Sequence, residues 1–143
     1  MNVARILKDK GRNVTTVAPD VSLRKAVETL ASARVGALVV CDRDMHVAGI
    51  ISERDVVRML AANGPSVLDQ PVSLYMTKEV RTCSERDTVE FLMEEMTSHR
   101  FRHMPVVEGG RLAGIVSIGD VVKQRIAAAE LEAASMREYI ATG

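Results

Sequence analysis

The sequence predicts an α+β protein made of two β-α-β-β-α repeats, followed by a helical extension at the C-terminus. The first observation is an internal repeat, because segment 49–57, GIISERDVV, returns at 114–122 as GIVSIGDVV. Self-similarity of this kind indicates repeated structural units. The second observation is that the flanking segments also match, in the pairs 35–40 with 102–107 and 22–34 with 88–100.

Length and composition limit the number of domains. With 143 residues, of which 47% are hydrophobic, the chain is long enough for one ordinary domain with a substantial core. A unit of roughly 60 residues is marginal by itself. We therefore expect the two repeats to share one core.

The elements of the first repeat follow from hydrophobic spacing and turn residues. A strand is predicted at 14–17, and Pro19-Asp20 turns the chain into a helix over 22–34 with apolar residues at helical spacing. The later elements are a strand at 35–40, a turn at 41–44, a strand at 47–52 and a helix from Ser52 to about Asn63, which Gly64-Pro65 ends.

The second repeat shows the same order. Its predicted elements are a strand at 80–83, a helix at 88–99, strands at 103–107 and 112–117 joined by the hairpin signal Gly109-Gly110, and a helix from near Gly119. The chain then divides into a lead-in (1–13), the first repeat (14–70), a connection (71–78), the second repeat (79–126) and a helical tail (127–143).

Charge and hydropathy exclude several classes of protein. Nineteen basic residues balance nineteen acidic ones, so no overall field favours nucleic acid. No apolar run approaches the roughly 18 residues that span a bilayer, and the N-terminus lacks a signal core. We expect a cytoplasmic protein without a membrane partner.

Cys41 and Cys83 show no metal or redox spacing and are expected to be reduced packing residues.

Two Ser-x-x-Asp motifs, Ser52 with Asp55 and Ser117 with Asp120, lie where a strand passes into a helix. A helix N-terminus attracts anions, and a carboxylate one turn later can accept hydrogen bonds from two hydroxyl groups. A ligand that carries both a phosphate and two adjacent hydroxyl groups, a cis-diol, is a nucleotide. The alternative is a capping box, in which the same residues only satisfy the helix end.

A basic pair, Arg102 and His103, precedes the apolar strand of the second repeat. An arginine can hold a phosphate with several donors. The alternative is that both side chains are simply solvated at the start of the strand. The first repeat has Gly36-Ala37 in the equivalent place, which offers room and apolar contact for a flat ring.

These residues carry a family resemblance. The paired units, the two glycine-apolar-apolar-Ser-x-x-Asp segments and the Arg-His-Met-Pro-Val-Val strand resemble a tandem of CBS domains, the Bateman module, over about residues 14–123. The resemblance implies two repeats related by a pseudo-two-fold axis with two clefts between them. It also implies an adenosine-containing ligand (AMP, ADP, ATP, S-adenosylmethionine or NAD(H)), of which we favour AMP or NAD(H), and no catalytic cofactor.

The resemblance assigns roles to matching positions. The acids would hold ribose hydroxyls, the serines would lie near ribose or phosphate, and the basic pair would reach phosphates. These polar positions are Ser52, Asp55, Ser117, Asp120, Arg102 and His103. The positions expected to frame adenine are Thr16, Val17, Thr82, Cys83, Ala37 and Met104.

The expected function is a regulatory module that senses an adenine nucleotide and signals to a partner protein, which the sequence does not identify. The alternative is a structural or interaction protein with vestigial clefts. An enzyme is not expected, because the sequence has no Ser-His-Asp order, metal-ligand cluster or glycine-rich phosphate loop.

A homodimer is expected from the apolar surface of the helices. The tail carries a stripe at nearly heptad spacing, formed by Ile126, Ala129, Ala133, Met136 and Ile140. Such a stripe needs another apolar surface to cover it.

Overall fold

The structure is a computed structural model that describes residues 1–142. The helices are α1 (Val3–Lys10), α2 (Leu23–Ala33), α3 (Glu53–Asn63), α4 (Val89–His99) and α5 (Ile118–Thr142). The strands are β1 (Thr16–Val17), β2 (Ala37–Cys41), β3 (Val47–Ser52), β4 (His103–Glu108) and β5 (Arg111–Ser117). Two short 3-10 helices, Pro65–Asp69 and Val72–Leu74, lie between α3 and α4.

The first repeat contains a three-stranded sheet in the order β1-β2-β3. Strand β1 runs parallel to β2 with Thr16 opposite Val39, and β2 runs antiparallel to β3 with Ala37 opposite Ser52. All residues of the central strand β2 are buried. The α+β class and the C-terminal helical extension are confirmed.

The second repeat has a two-stranded sheet, β4-β5, so the predicted strand at 80–83 is wrong. Only Cys83 pairs there, through a parallel bridge to Val106 in the position that β1 occupies in the first repeat. The Cys83 N–H donates to the Pro105 carbonyl at 3.0 Å. Pro105 has no N–H to donate back toward residue 81, so the ladder cannot continue.

Helix starts agree with the sequence because capping side chains mark them. Ser22 accepts from the Lys25 N–H ahead of α2, and Thr88 accepts from the Phe91 N–H ahead of α4. Both helices end on an arginine in the left-handed conformation, Arg34 and Arg100.

The segments that precede the repeats are exchanged between them. The lead-in forms α1, whose apolar residues Val3, Ile6 and Leu7 are buried in the core of the second repeat. The connection contributes Val72 to the core of the first repeat, where Tyr75 and Met76 also pack. Two core clusters result, one for each repeat, instead of the single shared core that we expected. Each repeat has its own sheet, and the segment that covers this sheet precedes the other repeat in the sequence.

Equivalent glycines allow this exchange. A Cβ on Gly49 would lie 2.5 Å from Met76 Sδ and 2.8 Å from the Thr77 carbonyl oxygen, and one on Gly114 would lie 2.7 Å from Leu7 Cδ2. The covering segments therefore touch the backbone of β3 and β5 where side chains are missing.

No helix among residues 1–142 is both long and apolar enough to cross a membrane.

Gly49→Ala is expected to lower the free energy of unfolding by about 1–3 kcal/mol, because the new methyl group overlaps backbone as well as a flexible side chain. Urea denaturation measures the change. Gly119→Ala is the matched control, since its Cβ would meet Ser117 Oγ at an ordinary 3.6 Å. Equal effects of the two substitutions would contradict the close approach at Gly49.

Candidate ligand-binding cleft

A cleft of about 300 Å³ lies between the two repeats. One wall comes from β2, β3 and the start of α3, and the other comes from the end of α4 and the start of β4. The lining residues are Gly36, Ala37, Ile50, Ser52, Glu53, Arg54, Asp55, Arg58, Thr77, Arg100, Phe101, Arg102 and His103. The structure thus brings together five of the predicted site residues, namely Ala37, Ser52, Asp55, Arg102 and His103.

The Ser52–Asp55 pair forms a capping box at the start of α3. The Ser52 hydroxyl accepts from the Asp55 N–H at 3.2 Å, while Asp55 Oδ2 accepts from the Ser52 N–H at 2.9 Å and from its hydroxyl at 3.0 Å. The capping alternative is therefore the observed local geometry. The Asp55 carboxylate accepts through Oδ2 alone, and within residues 1–142 no protein donor is found for Oδ1. Asp55 can cap the helix and still accept from a ligand.

The second motif has the same box but a different neighbour. Asp120 Oδ2 accepts from the Ser117 N–H at 2.9 Å, and the Ser117 hydroxyl accepts from the Asp120 N–H at 3.2 Å. Lys10 of α1 donates to the same Asp120 oxygen at 2.7 Å and to the Ile115 carbonyl at 3.0 Å. The Lys10 ammonium group thus neutralises the acid that, by the resemblance, would hold a ribose, and it does so through one carboxylate oxygen.

The charge of the cleft is dominated by arginines. Arg54 and Arg58 lie one turn apart on α3, Arg100 ends α4, and Arg102 precedes β4. Within the described part of the chain, none of the four forms an ion pair. Four arginines line a cleft whose lining includes only two acids, Glu53 and Asp55. The cleft is therefore suited to an anion.

Sequence reasoning missed three of these arginines. The spacing of Arg54 and Arg58, four residues apart directly after the Ser52 cap, places both on one face of the helix beside the motif. The sequence therefore contained a signal for these two arginines. Arg100 belongs to the basic run at 99–103, but its place in the cleft depends on how α4 meets the other repeat.

His103 lies opposite Gly36, with its Cε1 and Nε2 atoms 3.7 Å from the position of a Cβ on that glycine. Burial lowers the pKa of His103, and the Lys10 and Arg102 charges add to this, while Asp120 and Glu53 act in the opposite direction. The imidazole is therefore neutral at pH 7 and can offer one donor or one acceptor.

The other predicted residues lie outside this cleft. Met104 and Cys83 are buried in the core of the second repeat. Burial raises the pKa of Cys83 to about 12, so its thiol is protonated. Thr16 and Val17 are half-buried on β1, and Thr82 is exposed.

An acidic cluster lies on the hairpin between β2 and β3, where Asp42, Asp44 and His46 have potential ligand atoms within 4.8 Å of one another. Asp42 Oδ1 accepts from the N–H groups of Asp44 and His46, at 2.9 and 3.0 Å. These bonds shape the turn, in which Met45 has a φ of +64°. The turn accounts for the cluster, and we assign no metal to it.

The fold and the cleft define a tandem-repeat α+β module in which two similar units enclose a polar site. Residues 5–62 and 72–126 each match the CBS domain family. The chain belongs to this family.

Two curated relatives are informative. The mitochondrial CBS domain-containing protein CBSX3 of Arabidopsis thaliana is 32% identical over 149 residues, which cover 99% of this chain and 72% of that protein. A 17.7 kDa protein of Acidianus ambivalens is 39% identical over 111 residues. The match covers 77% of this chain and slightly less than two thirds, 66%, of the Acidianus protein.

Solved structures agree with the fold. A CBS-domain containing protein from Agrobacterium tumefaciens is 53% identical with a TM-score of 0.84, covering 87% of this chain and 99% of that one. A CBS domain protein from Pyrobaculum aerophilum, complexed with AMP, is 29% identical with a TM-score of 0.80, covering 93% and 99%. The CBS domain pair of protein MJ0100, in complex with methylthioadenosine and S-adenosylmethionine, is 25% identical with a TM-score of 0.78, covering 90% and 98%.

Lys10→Met tests the contact with Asp120, because it removes the ammonium group and keeps most of the apolar stem. Burial acts to raise the pKa of Asp120, but the bonds from Lys10 and Ser117 outweigh it and the pKa is lowered. In the variant we expect this pKa to rise, which NMR titration of the carboxyl carbon measures.

The stability of the protein should depend on pH through the same carboxyl group. A carboxyl group with a depressed pKa adds stability above its unfolded pKa and loses it as the pH falls through the folded pKa. The melting temperatures of wild type and Lys10→Met should therefore differ at pH 7 and converge at acidic pH. Lys8→Met, on the exposed side of α1, is the control. An unchanged Asp120 pKa in Lys10→Met would show that the contact is not formed.

Proposed function

We propose that this chain is a regulatory module that binds an adenine nucleotide, with AMP or NAD(H) as the leading ligands, in the cleft at Asp55. The observation that carries the proposal is the combination, in one cleft of about 300 Å³, of an available Asp55 oxygen with four arginines that form no ion pair within residues 1–142. A nucleotide presents the complementary groups, which are a cis-diol and a phosphate.

Each part of a nucleotide finds a matching surface. Asp55 Oδ1 accepts from the ribose hydroxyls, since an ionised carboxylate is an acceptor with several lone pairs. The N-terminus of α3 and the arginines attract the phosphate. Gly36, Ala37 and Ile50 give the base a small apolar surface.

The size of the cleft favours AMP over the dinucleotide. A volume of about 300 Å³ lies at the lower end of the range for small-molecule sites. The AMP complex of the Pyrobaculum protein and the methylthioadenosine and S-adenosylmethionine complex of the MJ0100 pair support an adenosine ligand in this family.

The two clefts are not equivalent in this proposal. Lys10 neutralises Asp120, whereas Asp55 has no lysine partner within the described residues. One nucleotide per chain therefore binds at the Asp55 side, because at the Ser117–Asp120 side the Lys10 ammonium group already neutralises the carboxylate. The Ser117–Asp120 side alone then corresponds to the vestigial cleft of the alternative function.

The module acts by binding, without a catalytic step, and passes its occupancy to a partner protein. The lining residues favour holding an anion, because they are mainly a capped helix start and arginines. A thermal-shift comparison of AMP, ADP, ATP, NAD, NADH and S-adenosylmethionine identifies the ligand, since a ligand at 100 times its Kd adds about 2.7 kcal/mol.

Asp55→Asn should weaken AMP binding by about 1.5–3 kcal/mol, because a hydrogen bond to a charged group is worth about that much. The amide oxygen can still accept from the Ser52 N–H, so the cap and the fold persist. Isothermal titration calorimetry measures the affinity. Asp120→Asn is the matched control and should leave AMP binding nearly unchanged. Equal losses in the two variants, or no saturable binding by the wild type, would contradict the assignment of the site.

Arg102→Ala should weaken AMP binding by about 1.5–3 kcal/mol and adenosine binding much less, because only AMP offers a charged phosphate to the guanidinium. Added salt should narrow the difference, since exposed charges are screened. Arg43→Ala removes an exposed arginine outside the cleft and is the control. If both ligands lose affinity equally, Arg102 contributes to the shape of the cleft and does not bind the phosphate.

A further inference from the structure

Helix α5 extends well beyond the body of the protein. It contains 25 residues, which corresponds to a length of about 37 Å. Every described residue from Ala129 onward is exposed, including Met136 at 60% and Ile140 at 72%. A helix of about 14 residues without packing partners is marginal in water. The segment therefore needs a surface to pack against.

Six apolar residues of this helix form one stripe, whereas the exposed Leu131 and Tyr139 lie outside it. The stripe residues recur at alternating intervals of four and three residues, which is the a and d pattern of a coiled coil. The α5 stripe consists of Val122, Ile126, Ala129, Ala133, Met136 and Ile140. Its neighbours Val121 and Ala128 are buried or half-buried, whereas Val122 and Ile126 are exposed. The stripe thus lies on the side of α5 that faces away from the body.

Charges beside the stripe select a partner and an orientation. In a parallel pair of α5 helices, Glu132 lies beside the partner's Arg137, and Arg125 lies beside the partner's Glu130. Both pairs are of opposite charge. In an antiparallel pair centred on the stripe, Glu130 would face the partner's Glu130 and Glu132 would face the partner's Glu132. Like charges in these positions are unfavourable.

These charges are available for a partner. Within residues 1–142, Glu130, Glu132 and Arg137 take part in none of the ion pairs found. Arg125 lies 3.3 Å from Glu90 of α4, but both side chains are more than half exposed, and such a pair contributes little.

We propose that α5 pairs with α5 of a second copy of this chain as a parallel, in-register two-stranded coiled coil, formed by the α5 stripe from Val122 to Ile140. Both bodies then lie at the same end of the coil. The pairing depends on α5 alone and is independent of what the cleft binds.

Cysteine cross-linking tests the orientation. In a parallel in-register pair, Ala129→Cys and Met136→Cys each bring two thiols together across the axis, so each variant should form a disulfide-linked dimer under mild oxidation. In an antiparallel pair, at most one position can meet its own copy. Ala127→Cys, outside the stripe, is the control. The native Cys41 and Cys83 are buried, so the unsubstituted chain should remain unlinked. Failure of either stripe cysteine to cross-link, or equal cross-linking at position 127, would overturn the proposal.

A charge exchange tests the register. Arg137→Glu places like charges at two symmetry-related positions and should raise the dimer Kd about tenfold at low salt. The double variant Glu132→Arg/Arg137→Glu restores opposite charges and the net charge of the chain, and should return the Kd to within about twofold of the wild type. Sedimentation equilibrium measures both. A monomeric wild type at high micromolar concentration, an unchanged Kd in Arg137→Glu, or no recovery in the double variant would overturn the proposal.

Discussion

Each repeat of this chain is completed by a segment that precedes the other repeat in sequence. Helix α1 covers β5 through Leu7, and the connection covers β3 through Met76, in each case over a glycine of the strand. The remaining features depend on this exchange. It carries Lys10 of α1 to Asp120 and places Thr77 of the connection in the lining of the cleft. The contact at the glycines therefore affects the site as well as the core.

The two copies of the duplicated motif lie in different surroundings. Both Ser-x-x-Asp pairs cap a helix with almost the same bond lengths. One box faces four arginines, and the other receives a lysine. Capping and binding are compatible because a carboxylate has two oxygens and the cap uses one. The geometry of the box is the same in both motifs, so only the neighbouring charges distinguish the two acids.

Much of the fold could be predicted from local signals. The caps at Ser22 and Thr88, and the glycines that end α3 and form the second hairpin, gave the elements within a few residues. The strand at 80–83 was not predictable from its own residues, because the obstacle is the missing N–H of Pro105 on the facing strand. The exchange of the leading segments was also hidden, since amphipathic spacing shows that a helix must be covered but not by which sheet. In the cleft, the motifs located the acids, whereas the convergence of Arg100 with Arg58 depends on tertiary packing.

The bond between Lys10 and Asp120 gives the second Ser-x-x-Asp motif a tethered cation. A group on the same chain acts at an effective concentration far above that of most dissolved ligands, and dilution does not remove it. A dissolved cation that approaches Asp120 competes with this ammonium group for the same carboxylate oxygen. The strength of that competition depends on how firmly α1 is seated on β5, so substitutions in α1 change the charge that Asp120 presents to its surroundings.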